Sequence, residues 1–510
     1  MIRQIAWKDL LLNLMTFKTT VGTIVCLILA TVFVFILAKD YQQRLKNYNA
    51  NVSANEANLN KVKVYKNIKP MVYRRPSVLS VFVEGLEKQA GKSAQVELGG
   101  VPEMMTVSEV DNPFLSAFPT LDVMLILKVV MSVLALLVAY DTISGEREQG
   151  TLRLILSGTA PRYHVLLGKL LAGLLTLFVP ITGTFMVGLL VLQFFPMVHL
   201  SGADWVHIGL MYLTSLIFIF AMYNVSLLFS CLMKRSGTSL MLGLFVWIIC
   251  AVVIPNVSIY LANYLRPTMA GEQLSMKVKG LIEERDNRIA DLTKTLSTSG
   301  QQSFGMGPMG DFVLFCDERL LANYKKRYVL SEPVRIRYAD RIFEAQEQYL
   351  HGLTRQKHLA FVLTQISPVA IYENIMSALA GTDSGAREHF RNEVKAYTNE
   401  VIEYIRSKTG NFSSSSYFTP TKDEDHQKIN NEMLLMLSKT KNYDVLLDWL
   451  KEKTSQIPSL DIQDFPQFIC KQESLVEVLH RTIPEVTLLL FINVLLFTLS
   501  FAAFQKYDVR

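Results

Sequence analysis

Six stretches of this chain are long enough and apolar enough to cross a lipid bilayer, and they limit the possible folds more than any other feature. They cover residues 21–38, 121–140, 165–195, 208–233, 240–265 and 486–504. The hydrocarbon core of a bilayer is roughly 30 Å thick and needs about 20 apolar helical residues to cross it. Because lipid offers the backbone no hydrogen bonds, each stretch is predicted to be a helix. The sequence therefore predicts an all-α polytopic membrane protein with six transmembrane helices.

The composition supports a membrane protein and excludes several other classes. Half of the 510 residues are hydrophobic and 19% are charged, against about 25% charged in soluble domains. The alternative, buried core helices in a large soluble protein, does not fit six stretches with so little charge. The net charge of +6 is small for this length and argues against a nucleic-acid-binding protein.

Residues 1–20 are predicted to form an amphipathic helix that lies on the cytoplasmic membrane surface, in contact with lipid. The segment carries three basic residues (Arg3, Lys8, Lys18). Its apolar residues fit one side of a helix (Ile5, Leu10, Leu11, Leu14, Met15, Phe17). The alternative is that this segment simply extends the first span. The first apolar stretch exceeds the length of a signal-peptide core, and no small-residue cleavage site closes it.

The distribution of basic residues predicts the orientation, because cytoplasmic loops are enriched in Lys and Arg. The connection at 196–207 has neither residue, whereas the turn between spans 4 and 5 has Lys234 and Arg235. The loop at 141–164 and the tail at 505–510 are also basic. Both termini and the 141–164 loop are therefore predicted to be cytoplasmic. Segments 39–120 and 266–485 become extracytoplasmic insertions.

The two insertions are predicted to be mostly helical. Apolar residues at heptad-like spacing predict one helix that packs on another (Val278, Ile282, Ile289, Leu292, Leu296). A second helix is predicted to start at Pro333 and run to 363. A third is predicted over 386–407 with one apolar face (Phe390, Val394, Tyr397, Val401, Ile405). Short strands are predicted at 80–83 and 95–98.

Cysteine usage predicts at most one disulfide. Cys316 and Cys470 both lie in the larger insertion, where an oxidising compartment would let them pair. The alternative is two separate buried thiols, because sequence does not show whether the two Cα atoms come close enough.

Motifs for intrinsic catalysis or metal binding are absent from the sequence. A Gly85-to-Ser93 stretch resembles a Walker A motif but has five residues between its glycines instead of four. No H-E-x-x-H, C-x-x-C or G-x-S-x-G pattern occurs. The chain is therefore not expected to be an enzyme, to hold a metal or to carry a cofactor.

The loop after the second span carries the most informative pattern. Gly145 is expected to break the helix there, Gly150 to allow a turn and Thr151 to cap a short amphipathic helix. A short helix held between two spans can pass force from a cytosolic partner to the membrane. The alternative is an ordinary solvated loop with alternating charge.

This stretch resembles the permease subunits of ABC transporters of the ABC-2 type. The matching residues are Asp141, Gly145, Glu146, Arg147, Glu148, Gly150, Thr151, Leu152, Arg162, Gly168 and Lys169. The resemblance extends to a bacterial subgroup with large insertions after spans 1 and 5. Looser matches in the first insertion are Arg75, Ser77, Leu79, Ser80 and Gly85. In the second insertion the Ser-Pro pair at 367–368 and the Ala-Gly-Thr-Asp stretch at 380–383 match.

The resemblance implies a division of labour between subunits. A separate dimeric ABC ATPase would bind ATP and Mg²⁺. Its surface would hold the 141–164 loop, which would act as the coupling loop, and the N-terminal helix. A second permease chain, identical or related, would complete the transporter in the bacterial inner membrane. An exporter is the expected activity. The alternatives are an ABC-coupled component that transmits force for envelope assembly without moving solute, or an ATPase-independent carrier or scaffold.

Three polar residues inside the spans are possible functional positions. Lys128 could contact substrate, pair with Asp122 or a residue of another span, or extend toward the surface, because a charge in lipid is costly. Asn224 and Asn493 are candidates for hydrogen bonds between helices.

Overall fold

The structure is a computed structural model. It describes residues 2–88, 93–96, 103–105, 121–157, 161–268, 271–296, 318–410, 443–471 and 473–506, with isolated positions between 417 and 439. Within these residues, six helices are long and apolar enough to cross a membrane, which confirms the predicted all-α polytopic class. These helices are spans 1 to 6: Phe17–Leu59, Val123–Glu148, Arg162–Leu192, Gly202–Leu232, Ser236–Leu265 and Leu475–Gln505. A turn at 140–143 interrupts the second of them, so span 2 below means its part Val123–Ala139.

Two spans contain a π-helical segment. Span 2 begins as Val123–Leu125, widens to a π-helix over Ile126–Met131 and continues as Ser132–Ala139. Span 5 contains the π-helix Ile249–Val253 between Ser236–Ile248 and Ile254–Leu265. A π-turn interrupts the regular i→i−4 hydrogen bonds, and such turns often occur at functional sites.

The N-terminal helix Ile2–Leu14, here called the surface helix, is separate from span 1. Thr16 has extended backbone dihedrals, so the two helices are not continuous. The surface helix packs on span 3, and a Cβ on Gly168 would lie 2.8 Å from Ile5 Cγ2. Trp7 and Leu11 point away from the protein and are 62% and 44% exposed. The structure therefore does not support the alternative that this segment extends span 1.

The start of span 1 and the end of span 6 lie at the same end of the bundle, here called the loop end. Lys18 at the start of span 1 pairs with Asp141 after span 2 at 2.8 Å. Arg162, the first residue of span 3, donates to the Gln505 carbonyl at the end of span 6 at 2.5 Å. The loop that follows span 2 therefore lies at the same end as the start of span 1 and the end of span 6.

The two insertions form one domain at the opposite end, here called the insertion domain. Its core joins Val72 and Ala94 of the smaller insertion to Phe390 and Val394 of the helix Ser384–Thr409. The predicted apolar face of that helix is buried as expected (Phe390, Val394, Tyr397, Val401, Ile405). The domain also contains the three-residue strands Met71–Tyr73, Ser93–Gln95 and Glu103–Met105, paired antiparallel in that order.

The predicted strand at 80–83 is wrong, because Val78–Val81 forms a 3-10 turn whose side chains pack into the core. The predicted strand at 95–98 overlaps the observed one at Gln95, and residues 97 and 98 lie outside the described residues.

A helical hairpin extends from the insertion domain, and its contacts match the heptad-like spacing only in part. Val278 and Ile282 pack in the interface and Ile289 is buried, but Leu292 is 38% exposed. The helix Gly271–Thr293 packs on the helix Glu318–Thr364 through Leu281, Tyr338 and Ile342. The prediction that the second helix starts at Pro333 is wrong, because Pro333 lies inside it. The larger insertion also contains the helices Pro368–Leu379 and Tyr443–Gln456.

The two motif stretches of the insertions meet in space. Arg74 and the Ser77 hydroxyl each donate to a carbonyl of residues 380–381, at 2.7 Å. The Leu86 amide donates to the Thr382 carbonyl at 2.9 Å. Gly85 has φ +51° and sits so close to Thr382 that a Cβ would lie 2.5 Å from its Oγ1. Only glycine tolerates this combination of dihedral and contact.

The helix Pro368–Leu379, here called the inserted helix, packs among the spans. Tyr372 stacks on Phe218, halfway along span 4, with ring centroids 4.2 Å apart. The Ser367 hydroxyl donates to the carbonyl of Cys250, halfway along span 5, at 2.7 Å. Sequence analysis did not place the inserted helix among the spans, because its 12 residues are too few for a bilayer-crossing helix.

Gly173 of span 3 permits the close packing of spans 3 and 4. A Cβ there would lie 2.2 Å from the Tyr223 ring, which is 1% exposed and donates to the Lys169 carbonyl at 3.1 Å. We predict that Gly173→Ala destabilises the protein by about 1–3 kcal/mol through overpacking. Thermal unfolding in detergent measures this. Gly209→Ala in span 4, with open space around its Cα, is the matched control and should unfold at the parent temperature or slightly above.

Candidate functional site at the loop end

The loop between spans 2 and 3 folds into two short helices, Ser144–Glu148 and Thr151–Ser157, here called the loop helices. Gly150 joins them with φ +74°, which supports the predicted turn. The expectation that Gly145 breaks the helix is wrong. Gly145 lies inside the first loop helix, and the break between span 2 and this helix falls at residues 140–143. Thr151 begins the second loop helix, and its hydroxyl donates to the Glu146 carbonyl at 3.3 Å.

The loop helices, the surface helix and the ends of the spans are joined by polar contacts, here called the loop-end cluster. Lys169 is its buried centre. Its ammonium contacts Glu146 of the first loop helix at 2.7 Å and Asp9 of the surface helix at 3.2 Å. The side chain of Lys169 is 5% exposed, and those of Glu146 and Asp9 are 23% and 19% exposed. One cation of span 3 therefore joins the loop and the surface helix, and its burial makes each carboxylate contact strong.

Arg147 connects the first loop helix to the end of span 4. Its two terminal nitrogens donate to the carbonyls of Met233 at 2.9 Å and Cys231 at 3.2 Å. The last carbonyls of a helix have no partner within it and carry partial negative charge. A guanidinium satisfies both requirements, so Arg147 caps span 4 from the loop.

Ser230 of span 4 forms the reciprocal contact. Its hydroxyl oxygen accepts from the amides of Ile143 and Ser144, both at 3.0 Å, at the start of the first loop helix. Sequence analysis missed Ser230, because a serine within an apolar span gives no signal for the element it will cap.

The remaining predicted residues extend the cluster to the other spans. Glu148 accepts from the hydroxyl of Ser236, the first residue of span 5, at 2.5 Å. Asp141 pairs with Lys18 of span 1, as noted above. Leu152 of the second loop helix is fully buried in the core shared with the spans. The loop thus touches spans 1, 3, 4 and 5 through side chains and continues directly from span 2.

The second loop helix also presents a surface away from the bundle. Arg153 is exposed, and Leu154 is 75% exposed. A large exposed apolar side chain beside buried Leu152 marks this helix as a candidate contact surface for a partner.

The intramembrane polar residues form two contacts between distant parts of the chain. Asn224 of span 4 donates to Asn493 of span 6 at 3.1 Å, and both side chains are buried. Lys128 of span 2 pairs with Glu373 of the inserted helix. Asp122, considered as its partner, instead accepts from the amides of Leu125 and Glu84 at 2.8 and 3.0 Å.

The predicted disulfide stays a prediction, because Cys316 lies outside the described residues. Burial raises the pKa of the Cys470 thiol to about 11, which keeps the thiol protonated at neutral pH. Among the described side chains, no three His, Cys, Asp or Glu residues lie close enough together to hold a metal ion.

Six candidate spans, a loop bonded to several of their ends and an N-terminal surface helix define a polytopic membrane protein. Residues 3–509 match the family model described as ABC-2 family transporter protein, so the chain belongs to the ABC-2 transporter family. Membrane proteins of this family are generally non-catalytic transport subunits that pair with an ABC ATPase. A comparison with curated proteins gave no match.

We predict that Lys169→Met destabilises the protein by about 3 kcal/mol, because it leaves two carboxylates without their buried cation. The midpoint of thermal unfolding in detergent measures the change. Lys169→Arg keeps the charge and should retain most of the stability. Equal midpoints for Lys169→Met and the parent would show that the cluster does not hold the loop.

Proposed function

We propose that this chain is the permease subunit of an ABC exporter in a bacterial inner membrane. A separate ATPase dimer binds ATP and Mg²⁺, and the loop helices receive its motion. The observation that carries the proposal is the loop-end cluster, in which one loop is bonded to spans 1, 3, 4 and 5.

The geometry of the cluster suits force transmission. Lys169 and Arg147 make charge-assisted contacts of 2.7 to 3.2 Å that resist sliding between the loop and the spans. A displacement of the first loop helix therefore acts on several spans together. Rigid elements joined by such contacts can move as units between two arrangements.

The ATPase would contact the exposed side of the second loop helix at Arg153 and Leu154. The surface helix would rest beside it, with Trp7 and Leu11 in the lipid interface. Aromatic and apolar side chains on one face suit that position. Six spans per chain then require a second permease chain, identical or related, to complete the transporter.

The orientation follows from the same arrangement. The basic residues around the loop favour the cytoplasm for the loop end, where ATP is available. The insertion domain then faces outward, and a disulfide between Cys316 and Cys470 becomes chemically reasonable there.

One observation favours a second candidate function, transmission of motion to the insertion domain without solute transport. The helix of span 1 has 43 residues and is therefore about 64 Å long, twice the hydrocarbon thickness. Beyond the membrane, Arg44 of this helix donates to Asp40 at 2.9 Å and to Ser80 of the insertion domain at 3.1 Å. A tilt of span 1 would therefore move the insertion domain.

Co-purification from native membranes in mild detergent, with an ATPase assay, tests the proposal. We predict that a Walker-motif ATPase copurifies with the parent chain, and that Leu154→Asp reduces its recovery about tenfold by placing a charge in the interface. Val329→Asp, at a 51%-exposed position in the insertions, is the control and should leave recovery unchanged. Recovery of the permease alone, without ATPase activity, would refute the proposal.

Labelling with a membrane-impermeant thiol reagent tests the orientation in a background without the five native cysteines. We predict that Arg153→Cys is labelled only after the membrane is permeabilised. His351→Cys, at a position 72% exposed in the side chain, should be labelled in intact spheroplasts. The reverse pattern would invert the orientation.

A further inference from the structure

The ion pair between Lys128 and Glu373 joins span 2 to the inserted helix. The side chain of Lys128 is 18% exposed and that of Glu373 is 39% exposed. Asp122, the other carboxylate near this end of span 2, is fully buried and has both oxygens engaged by backbone amides. Glu373 is therefore the carboxylate that neutralises Lys128 in this arrangement.

The inserted helix is held firmly by spans 4, 5 and 6. Besides its stacking on Phe218, the Tyr372 hydroxyl lies 3.0 Å from the Ser215 hydroxyl of span 4. The His207 ring of span 4 contacts the Leu379 carbonyl at 2.8 Å. Ser367 bonds to span 5, and buried side chains of the inserted helix share the core with span 6. These contacts make the inserted helix part of the span 4–6 body.

Span 2 departs from regular α-helical geometry where Lys128 lies. Its π-helical segment Ile126–Met131 contains Lys128, and a π-turn is a place where a helix can bend. The Ser132 hydroxyl donates to the Lys128 carbonyl at 2.6 Å and accepts from Trp247 of span 5 at 2.8 Å. The π-helix of span 5 also contacts the inserted helix. Both irregular segments thus meet at the inserted helix.

We propose that Lys128 and Glu373 form an ionic latch that closes the insertion end of the bundle and opens during each ATP-driven cycle. This inference rests on the proposed function, because it needs an ATPase to drive the opening. In the closed state the latch ties span 2 to the span 4–6 body. In the open state span 2 bends at the π-segment and the two charges separate.

The open state needs new partners for both charges, because an unpaired charge near lipid is unfavourable. Water entering the separated ends supplies them, and so does a charged group on the transported molecule. A molecule that binds Lys128 or Glu373 only in the open state shifts the equilibrium toward opening. The latch therefore favours charged or zwitterionic cargo over neutral cargo.

A reversible cross-link tests the latch in the permease–ATPase complex without native cysteines. Lys128→Cys and Glu373→Cys are joined by a bifunctional methanethiosulfonate reagent, which forms a disulfide with each thiol and is removed by dithiothreitol. The cross-link should lower ATP turnover about fivefold or more, and dithiothreitol should restore it. The control pair is Asn263→Cys and Gln356→Cys, hydrogen-bonded partners at 2.9 Å that link span 5 to the insertions. Its cross-link should leave turnover unchanged.

Unchanged turnover in the cross-linked Lys128–Glu373 pair would overturn the latch and leave the proposed function intact. Absence of ATP turnover before cross-linking, with no ATPase subunit present, would instead contradict the proposed function and the latch with it.

A charge exchange provides a second measurement if the cysteine pair fails to fold. Lys128→Glu and Glu373→Lys each place like charges together, which disfavours the closed state of the latch. Because the cycle needs the latch both to close and to open, each single variant should lower ATP turnover. The double variant restores the attraction and should recover most of the turnover. A double variant no more active than either single variant would overturn the latch.

Discussion

The structure depends on one constraint, that backbone polar groups near lipid must find partners within the protein. At several places where a span ends or departs from regular geometry, a side chain supplies a hydrogen bond to the backbone. Arg147 caps span 4, Ser230 caps the first loop helix, and Ser132 bonds to a carbonyl within the π-segment of span 2. The same side chains connect separate elements, so the need for hydrogen bonds also builds the contacts between spans.

Span 2 connects the two ends of the molecule. At the loop end it runs into the loop helices, whose ion pairs reach the surface helix and span 3. At the insertion end Lys128 reaches the inserted helix. A rigid segment from Ser132 to Ala139 lies between these regions and packs on span 4. Motion entering at one end of span 2 therefore has a continuous path to the other.

The insertions join the bundle at more than one place. Arg44 on the long helix of span 1, the interlocked stretches around Ser77 and Thr382, and the inserted helix all connect them to the spans. The insertion domain is therefore not a separate body on flexible linkers. Its core takes strands from one insertion and a helix from the other, so neither insertion completes that core alone.

The sequence alone determined the number and approximate position of the spans, because transfer of an apolar helix into lipid depends mainly on local composition. It also determined the loop motif and the buried face of Ser384–Thr409, because both follow from residue order and helical periodicity. Only the tertiary structure decided that Lys169 pairs with Asp9 and Glu146, that Ser230 caps the loop, and that Lys128 pairs with Glu373. These partners lie 23 to 245 residues apart. Such pairings depend on how the helices pack around one another, which no local pattern of residues encodes.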